Sequence, residues 1–111
     1  MAQDPNEAAK RALIAYRQLS AIVKEPVGVD SATAYVESYN RILESLKQCF
    51  SIDKSYSDAV NHLEPLEKAH GAVILSYQLD AYGAVLLATA HAFIELYLSP
   101  EEKKKAFGFH T

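Results

Sequence analysis

Apolar residues recur along this chain at the alternating three- and four-residue spacing of amphipathic helices, with polar residues filling the positions between them. In the first segment one apolar row is Ala8, Ala12, Ala15, Leu19 and Ile22, and a neighbouring row is Ala9, Leu13, Tyr16, Ser20 and Val23. Lys10, Arg11, Arg17, Gln18, Lys24 and Glu25 take the opposite side. Asp4 can cap the free backbone N–H groups, Pro5 fits the first helical position, and Glu7 sits where a capping-box acid belongs. The pattern predicts a helix over about 5–24, ended by Pro26 and Gly28. A second helix, 31–50, opens at Asp30 or Ser31. Its buried stripe is Tyr35, Val36, Tyr39, Ile42, Leu43, Leu46, Cys49 and Phe50. Its wet stripe is Glu37, Asn40, Arg41, Glu44, Lys47 and Gln48, with Glu37 and Arg41 at ion-pair spacing.

The third and fourth helices are less regular. Ser55-Tyr56-Ser57-Asp58 matches a capping pattern and opens a helix over 55–77, with Ala59, Leu63, Leu66, His70, Val73 and Tyr77 on its stripe. Pro65 falls inside it, where a proline costs ~3 kcal/mol in a regular helix. The apolar phase continues across Pro65, which favours a kink over a break. The fourth helix, 80–98, is apolar around nearly its whole circumference, interrupted only by Asp80, His91 and Glu95. Such a helix is central in its bundle or covered by another chain. Ser76-Tyr77-Gln78-Leu79-Asp80 carries no clear turn chemistry, so the two form either separate helices or one long helix from Pro65 to Leu98. Ser99, Pro100 and Glu102 then cap a short helix over 100–107, and Gly108 ends it. The fold expected is all-α, an antiparallel bundle of four main helices and a short fifth, in a single domain over 1–111.

Composition narrows the function more than the fold. Hydrophobic residues make up 50% of the chain and charged residues 23%, a globular balance. The formal net charge is −3, and the one dense basic cluster, Lys103 to Lys105, directly follows Glu101 and Glu102, so no nucleic-acid partner is expected. A lone cysteine, Cys49, excludes an internal disulfide, and its place beside Phe50 makes it a small core hydrophobe. No charged segment followed by an apolar run opens the sequence, so a cytoplasmic location is expected. The most apolar stretch, Ala81 to Ile94, falls short of the roughly 20 residues a bilayer needs, and no membrane crossing is expected.

Candidate chemistry is sparse. Glu67 and His70 form a Glu-x-x-His motif, but a carboxylate-bridged di-metal bundle needs two such motifs and two further glutamates, and the second motif is missing. A simpler metal site would combine Glu67, His70, His91 and Glu95, and requires His70 and His91 to lie within a few ångströms of each other. The plainer expectation is a hydrogen-bonded His70 on a buried stripe and a His91 that makes a polar contact at a helix–helix interface, with Glu95 in the next turn of its own helix as a partner. His62 and Asp58 have the spacing of a surface pair. No Ser, His and acid are spaced as a triad, and Gly28, Gly71, Gly83 and Gly108 are too scattered for a phosphate loop. Seven tyrosines fall on or beside the buried stripes. With no catalytic residue and no cofactor to assign, the chain reads as a non-enzymatic interaction or assembly module. Its partner would be a second copy, in a homodimer or larger oligomer, or another protein. The interface would lie on Tyr82, Val85, Leu86, Ala88, Ala92, Phe93, Leu96 and Tyr97. The alternative is a ligand- or metal-binding bundle built on His70 and His91 with Glu67 and Glu95.

Overall fold

The computed structural model describes residues 4–23 and 29–107, the side chains of 29–31, 106 and 107 excepted. Among them the chain is an all-α bundle: α1 (Pro5–Ile22), α2 (Val29–Phe50), α3 (Lys54–Val60), a 3-10 turn (Lys68–His70), α4 (Ala72–Tyr97) and α5 (Pro100–Phe107). The Pro26–Gly28 stop and the Gly108 stop lie outside what is described; α2 is already helical at Val29, so Asp30 and Ser31 lie inside the helix and do not cap it.

The end signals of α1 and α5 act as their chemistry dictates. Asp4 accepts from the Glu7 N–H at 3.2 Å, and Ser99 accepts from the Glu102 N–H at 3.3 Å. Ala8, Ala9, Ala12 and Ala15 are buried and, with so little side chain, bring α1 close to its neighbours. α5 is tied to α1 by the Ser99 N–H, which donates to Asn6 Oδ1 at 2.8 Å, and by Lys10 opposite Glu102 at 3.6 Å.

The expected third helix does not form as one element. α3 starts a residue earlier than expected, capped by Asp53 rather than Ser55, and stops at Val60. Turns close from Asn61 to Asp58 and from Leu63 to Val60. Non-helical backbone then carries the chain through Pro65. A proline has no N–H for a helix and disfavours helical dihedrals at the residue before it, here Glu64. Pro65 therefore marks a break, not a kink. Gly71 starts α4 at φ 85°, a conformation that suits glycine. From there 26 residues run without interruption, so Ser76–Asp80 is helix interior and Asp80 marks no helix start. The continuity through 76–80 accords with the lack of turn chemistry there, but the long helix starts at Ala72 and not at Pro65.

Direction follows from this break. Leu63, Leu66 and Lys68 meet Lys47, Asn40 and Glu37 in turn, so the return segment climbs α2 from its C-terminal end toward its N-terminal half. α4 then descends beside α2 in the same direction: Tyr82 lies near Tyr39, Phe93 packs on Phe50 at 5.1 Å, and the Tyr97 hydroxyl reaches Asp53. The antiparallel arrangement holds for α1 against both others, with Val23 beside Gly83, Tyr16 beside His91 and Arg11 near Cys49. Leu19, Leu43, Leu46, Leu75, Leu79, Leu86 and Phe93 fill the core where α1, α2 and α4 meet. Full burial of side chains this size stabilises the fold by about 1.5–3 kcal/mol each, before chain entropy is set against it.

Candidate interaction surface on α4

α4 touches both α1 and α2, yet those contacts use only part of its circumference. Leu75, Leu79, Gly83, Leu86, Ala90, Phe93 and Ile94 face inward and are buried. The outward face carries Val73 (56% exposed), Ile74 (53%), Tyr77 (74%), Ala81, Ala84, Ala88, His91, Ala92, Glu95 and Leu96 (60%). Ile74, Tyr77, Ala81, Ala84, Ala88, His91 and Glu95 follow one another at alternating three- and four-residue steps, the seam spacing of helix-on-helix packing. The half-buried Asp80 borders that seam between Tyr77 and Ala84, and within it no charged side chain precedes His91. A soluble helix ordinarily turns a charged face to water, and this one presents four alanine methyls, three larger aliphatic side chains and a phenol, with His91 and Glu95 only toward its end.

The expected interface divides on this geometry. Ala88, Ala92 and Leu96 are exposed; Tyr82, Val85 and Tyr97 are half-buried on the flanks, packed against the core. Leu86 and Phe93 belong to no outer surface, since both are fully enclosed by the chain's own helices. Val73, Ile74, Tyr77, Ala81 and Ala84 were absent from the expected set. In the sequence the spacing of Val73 and Tyr77 continues the stripe of the expected third helix, and only the continuous α4 places them on the same face as Ala88.

The expected metal set does not assemble. Glu67 and His70 precede α4 and His91 and Glu95 lie near its far end, so the histidines are about 30 Å apart at 1.5 Å rise per residue. His70 is exposed in the 3-10 turn, not hydrogen-bonded on a buried stripe. His91 Nε2 does face Glu95 Oε1 at 3.9 Å, but on the surface. Lys103 shares Glu95, at 4.0 Å from its carboxylate and 2.6 Å from its backbone carbonyl. Among the described residues no three His, Cys, Asp or Glu side chains cluster as metal ligands would. Asp58 pairs with Lys54 at 2.6 Å rather than with His62. Glu37 reaches Lys68 at 3.5 Å rather than pairing with Arg41.

Perturbed groups elsewhere are structural. Burial pushes the Cys49 thiol up, away from the reactive thiolate. Tyr39 is fully enclosed, its hydroxyl makes no hydrogen bond among the described residues, and burial raises its pKa far above the ordinary value. Tyr97 is raised chiefly by donating to Asp53 at 2.5 Å, a bond that fastens the end of α4 to the cap of α3. Beside the return segment, a groove of about 680 Å³ runs between Pro65 and Arg41, Glu44 and Gln48 of α2. Its lining holds no nucleophile with a base beside it. By length and composition α4 is apolar enough to cross a membrane, while its inner side supplies core contacts to α1 and α2.

Comparison of the chain with known protein families, with curated proteins and with solved structures finds no match. The class that fold and surface define is a small all-α bundle with one long helix left apolar on its outer side.

Proposed function

We propose that the protein is a non-enzymatic helical interaction module that docks a protein partner on the outward face of α4, with self-assembly as its expected form. One observation carries the reading: over the seam from Ile74 to Ala88 the helix exposes Ile74, Tyr77 and three alanines without a charge among them. Exposed contiguous apolar surface of this kind marks contact sites on soluble proteins. The core is already closed by Leu75, Leu79, Leu86 and Phe93, so the outer residues are not required to complete it. A buried lone cysteine suits a reducing, cytoplasmic setting.

Size-exclusion chromatography with light scattering, from roughly 1 to 200 µM, tests the assembling form. The wild-type mass should rise above 12.3 kDa with concentration. Ala88→Glu, which adds a charge to the middle of the face without touching the core, should hold the protein at the monomer mass with unchanged helicity. A wild-type monomer throughout, or an Ala88→Glu variant that assembles normally, overturns the reading.

A further inference from the structure

We infer that the partner on α4 is a second copy of this chain, its α4 running antiparallel across the first about a two-fold axis between Ala84 and Ala88. The inference rests on the docking reading above and adds who docks and in what direction. The face is self-complementary in size. The small residues Ala81, Ala84, Ala88 and Ala92 occupy its middle, and Tyr77 and Leu96 stand near its two ends. A two-fold axis at the centre sets Ala84 opposite Ala88 of the partner, Ala81 opposite Ala92, and Tyr77 opposite Leu96. Alanine against alanine lets the axes approach toward the close end of the 8–10 Å range for packed helices. The bulky ends then fill the space where the helices diverge. Isologous contacts of this form close on themselves and stop at two copies.

Charge selects the same direction. In a parallel pair the His91–Glu95–Lys103 cluster would face its own copy, setting each charged group against its like at the edge of an apolar contact. In the antiparallel pair Glu95 comes beside the exposed Tyr77 hydroxyl, a donor for its carboxylate. The area agrees as well. Val73, Ile74, Tyr77, Leu96 and the alanines expose on the order of 600 Å² per copy, so two copies would cover about 1,200 Å², the lower edge of a stable interface. An interface at that edge is of the weak, reversible kind.

Disulfide trapping tests the geometry on the full-length chain. Ala81→Cys, Ala92→Cys and the double variant are each oxidised mildly and run on a non-reducing gel; buried Cys49 stays in place and cannot contribute. The antiparallel pair predicts that the double variant is trapped mainly as dimer. Each single variant, whose two cysteines lie far apart across the axis, should be trapped at least fivefold less. Single variants that link as well as the double one would show a parallel pair and overturn the inference. If Ala88→Glu abolishes assembly but the double variant stays unlinked, the face is used and the antiparallel self-pairing is wrong. A wild-type monomer at all concentrations overturns both this inference and the docking reading.

Discussion

Asn40 is one polar side chain on which the course of the chain depends. Its amide nitrogen donates to the Leu66 carbonyl at 2.9 Å, and its amide oxygen accepts from the Leu66 N–H at 2.7 Å. The side chain thereby pairs both backbone groups of a residue that belongs to no helix or sheet. Replacing Asn40 with alanine removes two hydrogen bonds, worth about 0.5–1.5 kcal/mol each, and leaves two half-buried backbone groups poorly satisfied. Because the site is only partly buried, water offsets some of that penalty, and the expected loss is about 2–3 kcal/mol. Against a total stability of about 5–15 kcal/mol for a domain, that loss is large. Asn40→Asp keeps the acceptor for the Leu66 N–H but turns a carboxylate oxygen toward the Leu66 carbonyl, and should cost about 1–2 kcal/mol. Urea unfolding followed by far-UV circular dichroism measures both, with an unchanged slope and an alanine midpoint lower by about 1–2 M. Faster hydrogen exchange at the Leu66 amide should accompany the loss. A stability loss below about 0.5 kcal/mol with unchanged Leu66 exchange would refute the role given to this amide.

Gly83 meets α1 closely enough that an added Cβ would stand 2.9 Å from Val23 Cγ1, so Gly83→Ala should gain about 1 kcal/mol of helix propensity and lose as much or more to overpacking. In a Val23→Ala background the clash is gone and Gly83→Ala should become stabilising; a double-mutant cycle by urea unfolding that shows no coupling would contradict the close approach. Tyr39→Phe removes a buried hydroxyl that has no hydrogen-bond partner among the described residues and should leave stability unchanged or raise it by up to about 1 kcal/mol, read as the thermal midpoint. The folded-state pKa values of Tyr39 and Tyr97 are both raised, so the native chain holds these protons more tightly than the unfolded one. Their stabilisation is complete below about pH 10, the ordinary phenol value, and is lost as pH rises beyond it; Tyr39→Phe should blunt that alkaline loss in a urea midpoint series from pH 8 to 11.

Local chemistry decided most of the secondary structure. Asp4, Pro5, Ser99 and Pro100 set helix starts through groups within one turn of themselves, and the stripes of α1 and α2 named the residues that the core encloses. Such signals are legible because cap and stripe depend only on nearest neighbours along a helix. The segment 55–77 misled for the same reason. Leu63 and Leu66 are buried as their spacing suggests, but from non-helical backbone, because apolar phase reports which residues need cover and not which backbone delivers them. Asn40 and Lys47, ordinary wet-face residues in the sequence, became the partners of Leu66 and Leu63 only once the chain folded back along α2.

The amino-acid sequence alone determined that this chain forms amphipathic helices around an apolar core and that its last long helix carries more apolar surface than one face requires. Only the tertiary structure decided how that surplus is divided. α1 and α2 cover Leu86 and Phe93 and leave Tyr77, Ala84 and Ala88 outside. That division depends on the direction in which α4 descends beside α2, which the break at Pro65 and the turn at Gly71 set across contacts far apart in the chain. Hydrophobic periodicity measures demand for burial, and long-range packing determines which of those residues the chain itself can satisfy.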